Sequence, residues 1–136
     1  MAEGGCLCGR VRFRTAAAAM ATRVCWCRDC QALGAGSGTV NVIFPVEGFE
    51  IEGETRDYVS TADSGNVMHR RFCPTCGTPL FSAAESRPTL IIARAGTLDD
   101  PELARPSGTI WTASAPSWAC IDETLPKTEG QPPPAG

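Results

Sequence analysis

The sequence is poor in histidine and in charged residues, and it has no long apolar run. Its 136 residues include a single histidine, His69, and only 20% are charged. A zinc protease with an HExxH motif needs two histidines, so this class is excluded. The most apolar stretch, residues 90–93, is far too short to cross a bilayer, and no membrane partner is expected.

Positive charge is scarce as well. Twelve Lys and Arg residues against fifteen Asp and Glu residues give a formal net charge of -3, with no dense basic stretch. Nucleic-acid surfaces neutralise phosphates with clustered cations, so no nucleic-acid partner is expected. The first residues carry an acid and no basic segment, and Cys6 interrupts any apolar segment. This start is unlike a secretory signal peptide, and we expect a reducing, cytoplasmic location.

The length and composition predict one folded domain followed by a tail. Hydrophobic residues make up 43% of the chain, which is enough for a core in a single domain of this size. We place that domain at residues 1–125. From Pro126 the sequence is rich in proline and polar residues, which predicts a flexible tail over residues 126–136.

Short segments with alternating apolar and polar residues predict an all-β domain with few or no helices. The turn residues Gly, Pro, Asp and Ser separate these segments, and no amphipathic helix of ten or more residues is evident. Residues 34–38 predict a glycine-rich loop, and residues 98–103 predict one helical turn. The first strand is predicted to begin near Arg10, and the further candidates are residues 39–44, 49–52, 56–60, 67–72, 80–82, 90–95 and 109–112.

Cysteine, in contrast, is abundant, and its positions in the sequence are clustered. Seven of the eight cysteines fall into three tight groups. Closely spaced pairs bring two thiolates to one ion at little cost in loop-closure entropy, whereas disulfides have no such preference. The groups are Cys6 with Cys8, Cys25 with Cys27 and Cys30, and Cys73 with Cys76.

The third group has the most specific sequence, CPTCG over residues 73–77. Proline restricts the backbone, and glycine after the second cysteine lets the chain turn while N–H groups point at the sulfurs. This pattern predicts a zinc knuckle. The competing interpretation is a redox CxxC motif, but that motif begins a helix, and Pro79 disfavours a helix here.

A knuckle provides two ligands, so a closed tetrahedral site needs a second pair. Either Cys6 and Cys8 or part of the 25–30 group could provide it. If Cys6 and Cys8 do, then Cys25, Cys27 and Cys30 remain as three ligands with one open position, as a catalytic zinc requires. Two alternatives stay open for this group: a closed site completed by Cys120 or His69, and a redox relay in which Cys27 and Cys30 form a disulfide.

The cysteine blocks and their neighbours resemble the glutathione-dependent formaldehyde-activating enzyme family, which includes the centromere protein V domain. The similar blocks occur in the family's order and extend from Gly4 to about Lys127. They are GCLCG at residues 5–9 with Val11 and Arg12, CWCRDC at 25–30, FCPTCGTPL at 72–80, AGTLDDP at 95–101 and the region of Trp118.

The resemblance implies a β-tent fold of short antiparallel strands and two zinc ions per chain. It implies a structural zinc on Cys6, Cys8, Cys73 and Cys76, and a catalytic zinc on Cys25, Cys27 and Cys30. The implied activity is that of a carbon-sulfur lyase, which condenses glutathione with formaldehyde to S-(hydroxymethyl)glutathione. The expected partners are therefore a glutathione-like thiol and a small aldehyde.

Two residues of the second block are candidates for substrate binding. Trp26 stands where family members often carry histidine, and it is predicted either to form a wall of the pocket or to pack beside the zinc. Glutathione carries two carboxylates, and Arg28 is the nearest cation in sequence. Arg70, Arg71 and Arg94 are weaker candidates.

The remaining chemically active residues have simpler expected roles. His69 could act as a general acid or base, but a lone histidine in a strand is more often packed or on the surface. Cys120 is predicted to be a small buried hydrophobic residue. The alternative function is a non-catalytic zinc module that binds a protein partner, and a fully occupied second zinc site would favour it.

Overall fold

The computed structural model describes residues 1–133 and is mostly β-sheet, which confirms the all-β prediction. It has one short helix, α1 (Arg28–Leu33), and three 3₁₀ turns, at Ala95–Thr97, Pro101–Ala104 and Thr112–Ser114. Within this part of the chain, no helix is long and apolar enough to cross a membrane. The strands are β1 (Ala2–Gly5), β2 (Arg12–Thr15), β3 (Ala21–Cys25), β4 (Thr39–Pro45), β5 (Glu50–Glu52), β6 (Arg56–Thr61), β7 (Val67–Phe72), β8 (Pro79–Ala84), β9 (Leu90–Arg94) and β10 (Gly108–Ile110).

The strands form two sheets that enclose one apolar core. The smaller sheet has the order β1-β2-β5, and the larger has the order β10-β3-β4-β9-β8-β7-β6. Successive side chains of a strand point to opposite faces, so one face of the larger sheet supplies the buried residues Val42, Phe44 and Ala93. Phe13 of β2 packs edge-on against Phe81 of β8, with ring centroids 5.2 Å apart, and joins the two sheets.

The opposite face of the larger sheet carries polar and sulfur-bearing side chains. Cys25 and Arg23 lie on it, and Arg23 is paired with Asn41 of β4, which in turn is paired with Arg94 of β9. The alternation of side chains therefore gives the two faces of the larger sheet different roles. One face builds the core, and the other presents cysteine, arginine and asparagine to a common space.

Most of the predicted strands are present, with shifted ends. Residues 67–72 form β7 with the predicted bounds, whereas the strand expected near Arg10 begins at Arg12 and is the second strand. Two strands were not predicted, β1 and β3. The β1 sequence AEGG has little intrinsic strand preference, and its pairing with β2 places Gly4 opposite Phe13, where the missing side chain leaves room for the ring.

The segment after Leu125 forms backbone hydrogen bonds with β10. The N–H of Thr109 donates to the carbonyl of Pro126, and the N–H of Thr128 donates to the carbonyl of Thr109. Lys127 thereby forms a parallel bridge with Thr109. Backbone hydrogen bonds at the β10 edge hold this segment, a feature that composition does not reveal. The last part of the predicted tail, residues 134–136, lies outside the described residues.

Candidate functional site

The structure brings Cys6, Cys8, Cys73 and Cys76 together from two distant turns. Their sulfur atoms all lie within 4.8 Å of one another. The first pair follows β1 and the second follows β7, and a glycine after each pair closes the turn. Gly9 donates to the carbonyl of Cys6, and Gly77 donates to the carbonyl of Cys73.

Both glycines adopt positive φ angles, 82° for Gly9 and 77° for Gly77. Glycine has no Cβ and adopts this conformation without strain. Glycine therefore allows both turns to close beside their cysteines.

Hydrogen bonds to sulfur favour the thiolate form of Cys76, whereas desolvation and the neighbouring thiols raise the pKa of Cys8 to about 11. The N–H groups of Val11 and Cys76 donate to the sulfurs of Cys6 and Cys73, over 3.2 and 3.5 Å. The side-chain hydroxyl and backbone N–H of Thr78 hydrogen-bond to Cys76 and lower its pKa to about 5. A lowered thiol pKa favours the deprotonated form that binds metal.

The sulfur spacing also fits a tetrahedral ion. Zn–S bonds of about 2.3 Å place tetrahedral sulfurs about 3.8 Å apart. The Cys6 and Cys8 sulfurs are 3.6 Å apart, and those of Cys8 and Cys73 are 3.8 Å apart. The four residues therefore fit a closed four-thiolate site in number, spacing and hydrogen bonding.

The second group is built where β3 passes into α1. Cys25 ends the strand, Cys27 is the N-cap of the helix, and Cys30 lies in its first turn. The backbone N–H of Cys30 donates to the Cys27 sulfur over 3.4 Å, so Cys27 caps the helix as Ser or Asp commonly does. All three cysteines are buried, and their sulfurs lie within 4.8 Å of one another. Among residues 1–133, no other Cys, His, Asp or Glu belongs to this group.

The three thiols hydrogen-bond to one another, and their pKa values shift in different directions. Hydrogen bonds from Cys25 and Cys27 lower the pKa of Cys30, and Thr39 and the positive charge of Arg94 act in the same direction. The hydrogen bonds to Cys27 and Cys30, together with burial, raise the pKa of Cys25. The cluster therefore holds negative charge most readily on Cys30, and a divalent cation would stabilise the fully deprotonated set.

A cavity of about 110 Å³ borders the three cysteines on the polar face of the larger sheet. Asn41 and Arg94 line it, and the Arg94 guanidinium donates to the side-chain oxygen of Asn41. Arg94 is only 8% exposed, and its Nε has no hydrogen-bond partner among the described residues. Because burying an unpaired charge is unfavourable, the thiolate of Cys30 is the natural counter-charge for this guanidinium.

The two predicted substrate-binding residues lie away from this cavity. Arg28 is exposed and donates to the side-chain oxygen of Gln31 over 2.9 Å. Trp26 is buried and borders a different cavity, together with Cys120. Neither belongs to the residues that line the cysteine cavity.

His69 and Cys120 also lie apart from the cysteine groups. His69 lies on the surface between Asp57 and Glu85, and its ring nitrogens are 2.5 and 2.7 Å from their carboxylate oxygens. Cys120 is exposed, so the prediction that it is buried is wrong. It lies in the irregular segment after the last 3₁₀ turn, where its surrounding apolar residues do not enter the core.

Sequence reasoning missed several residues of the cavity. Arg23 and Arg87 line it. Trp111, which the sequence suggests as a packing or pocket residue, also lines the cavity; it has a positive φ of 58° and packs against the cysteines. Arg23 could have been found from strand alternation, because it lies two residues before Cys25 and shares its face. Arg87 belongs to the turn between β8 and β9, and no local pattern connects it to the cysteines.

Comparison with known proteins identifies a similar fold and a sequence family. A crystal structure of a Rhodobacter sphaeroides protein has the same fold, with a TM-score of 0.56 and 19% identity over 71% of this chain and 87% of that chain. No curated protein matches the chain. The sequence model of the glutathione-dependent formaldehyde-activating enzyme family matches residues 1–114, which include both cysteine groups. The chain therefore belongs to the glutathione-dependent formaldehyde-activating enzyme family.

Proposed function

We propose that the protein is a zinc-dependent carbon-sulfur lyase that condenses a thiol, glutathione, with formaldehyde or a related small aldehyde. The product is an S-hydroxymethyl adduct. The proposal assigns a structural zinc to Cys6, Cys8, Cys73 and Cys76. Cys25, Cys27 and Cys30 are the ligands of a catalytic zinc. Family membership supports a glutathione-dependent role in formaldehyde activation, and the site geometry supports the finer assignment.

The observation that carries the proposal is the three-cysteine group beside a cavity. Three buried sulfurs face one another, and no fourth side-chain ligand accompanies them among residues 1–133. Catalytic zinc sites have three protein ligands and one position for substrate, whereas structural sites have four. The four-cysteine group has the ligand number of a structural site, and the three-cysteine group has that of a catalytic site. When bound, zinc supplies Lewis acidity, which lowers the pKa of a thiol or polarises a carbonyl.

Polar and charged side chains next to Cys30 balance the negative charge of the three cysteines. Asn41 accepts the hydrogen bond from Arg94 and itself donates to the hydroxyl of Thr39 over 3.0 Å. This polar row lies beside Cys30, and the positive charge of Arg94 favours the thiolate form of Cys30. Arg94 thus offsets the negative charge of three thiolates, which exceeds that of a divalent ion by one.

The reaction forms one bond and moves one proton. The thiol loses its proton, and its sulfur then attacks the carbonyl carbon of the aldehyde. The carbonyl π electrons move to the oxygen, which takes up a proton, so the adduct contains all the atoms of both reactants. Arg94 is buried, so its charge interacts with nearby negative charge more strongly than it would in bulk water.

Metal content and exchange kinetics together test the proposal. We expect two zinc ions per chain, and ¹³C-formaldehyde exchange spectroscopy with glutathione should show faster adduct formation than without protein. A Cys27→Ala protein should lose this acceleration and one zinc. A protein that holds two zinc ions and accelerates nothing would contradict the enzyme assignment.

X-ray absorption separates the enzyme from its alternative, a zinc module that binds a protein partner. The enzyme assignment expects four sulfurs on one ion and three on the other, with glutathione raising the second number to four. Four protein sulfurs on both ions would favour the binding module. Reduced thiols are required in either case, and we assign the protein to the cytoplasm for this reason.

A further inference from the structure

Arginines outnumber carboxylates in the lining of the cysteine cavity. Four arginines line it, and Asp63 is the single carboxylate among its described lining residues. The four come from separate parts of the larger sheet and its turns. They are Arg23, Arg70, Arg87 and Arg94.

Two of the four arginines have partners within the protein. Arg94 donates to Asn41 and lies beside Cys30. Arg70 donates to the hydroxyl of Ser60 over 2.9 Å and lies 3.4 Å from a carboxylate oxygen of Asp29. Their charges are therefore matched by groups already at the site.

Arg23 and Arg87 have no such partners. Neither forms an ion pair or a side-chain hydrogen bond within residues 1–133. Arg23 is half-buried, and it lines the same cavity as Arg87. Asp63 of the same lining forms an ion pair with neither of them. Two unpaired guanidinium groups that line one cavity repel each other, and a bound anion would relieve that repulsion.

We propose that Arg23 and Arg87 bind a carboxylate of the substrate, in the same cavity as its reacting group. This inference rests on the proposed function, because it takes the reacting group to lie at Cys25, Cys27 and Cys30. Arg23 precedes Cys25 by two residues on the same face of β3, a rise of roughly 7 Å. The substrate class is therefore a thiol or aldehyde with a carboxylate a few bonds from the reacting atom.

Apolar side chains extend the cavity on the side of Arg23 that faces away from Cys25. In the register of β3, β4 and β9, Ile43 and Ile92 follow the row of Arg23, Asn41 and Arg94, and Leu90 follows them. The step from Cys25 to Arg23 therefore crosses no apolar row, and a short substrate spans it. A planar carboxylate matches two N–H groups of a guanidinium.

A pair of thiol-free probes tests the inference without relying on turnover. 3-(Methylthio)propionate carries the carboxylate, and 3-(methylthio)propanamide has the same size and no charge. Isothermal titration of the zinc-loaded full chain should give a dissociation constant about tenfold lower for the carboxylate, the usual gain from a charge-assisted pair. This preference should decrease as salt increases.

Three glutamine variants locate the effect. Arg23→Gln and Arg87→Gln should each abolish the preference for carboxylate over amide. Arg56→Gln should retain it, because Arg56 is an exposed residue of β6 that does not line the cavity. Circular dichroism of each variant checks that it is folded. Equal binding of the two probes by the wild-type protein overturns the inference, as does a preference that survives both cavity substitutions.

Inorganic phosphate provides the third probe. Tighter binding of phosphate than of the carboxylate at Arg23 and Arg87 would overturn the assignment to a carboxylate. These binding experiments can fail independently of the test of the proposed function. A carboxylate preference without formaldehyde exchange would refute only the lyase, and exchange without a carboxylate preference would refute only the arginine site.

Discussion

Arg94 and Asn41 face each other across the β4–β9 pair, and the Arg94 guanidinium donates a hydrogen bond to the Asn41 side-chain oxygen. Both residues are more than nine-tenths buried, and both line the cavity beside the three-cysteine group. The amide of Asn41, rather than a carboxylate, thus fixes the positive charge of Arg94 next to Cys30. A carboxylate there would add to the negative charge of the cysteines.

Replacing Asn41 by alanine should destabilise the protein. The substitution leaves the buried guanidinium of Arg94 without its amide partner, and an unsatisfied buried polar group costs about 1–3 kcal/mol. Urea unfolding of the zinc-loaded protein measures the change. Ser86→Ala is the control, because it removes an exposed hydrogen bond to Asn66 and should change the free energy of unfolding by less than about 0.5 kcal/mol. Equal stability of Asn41→Ala and wild type would show that the pair contributes nothing.

The two cysteine groups should respond differently to a single alanine. Cys76→Ala removes a ligand from the group that joins the turns after β1 and β7, and structural zinc contributes on the order of 10 kcal/mol to folding in small zinc domains. We expect this variant to lose both its zinc ions and its fold. Cys27→Ala should keep one zinc and a native circular dichroism spectrum.

Elemental analysis of both purified variants, combined with circular dichroism, checks this difference. A Cys27→Ala protein that retains two zinc ions would contradict the assignment of Cys27 as a ligand. A folded, metal-free Cys76→Ala protein would show that the four-cysteine group is not needed for the fold.

The surface pair of carboxylates around His69 predicts a pH-dependent contribution to stability. Hydrogen bonds to Glu85 and Asp57 raise the pKa of His69 above its ordinary value of 6.5. Because the folded pKa is the higher one, the stabilisation is fully present below the unfolded value. It is lost as pH rises through the folded pKa.

Thermal unfolding of wild type and His69→Gln between pH 5 and 8 measures this effect. The wild-type advantage should be largest near pH 5 to 6 and should decrease as the pH rises above 6.5. Proton NMR of the imidazole gives the folded pKa directly, and Glu85→Gln should lower it. A wild-type His69 pKa at or below 6.5 would contradict the prediction.

Gly4 should be intolerant of a side chain. A Cβ atom at this position would lie 2.1 Å from the carbonyl oxygen of Thr97 and 2.6 Å from the ring of Phe13. Gly4→Ala should therefore destabilise the protein by roughly 1–3 kcal/mol, as overpacking of a core commonly does. Gly96→Ala is the matched control, because no atom would lie within 4 Å of its Cβ. Urea unfolding that ranks the two variants equally would contradict the close approach at Gly4.

Local sequence was sufficient to predict the fold class and the three cysteine groups. Strand alternation depends on neighbouring residues, so β4 and β7 could be predicted within a residue of their ends. The spacing of Cys25, Cys27 and Cys30 likewise places three sulfurs together through local geometry. The strand β1 could not be predicted, because its Gly-rich sequence becomes extended only by pairing with β2.

The tertiary structure alone decided which residues share the cavity with the cysteines. Arg28 is adjacent to Cys27 in sequence, yet it lies on the exposed side of α1, while Arg94 reaches the cluster from β9. Arg87 comes from a turn more than fifty residues after Cys30 in the chain. Sheet order and register bring such distant residues together, and neither is encoded in a short window of sequence. The scarcity of charge in the sequence thus concealed a local excess of arginine that only folding assembles.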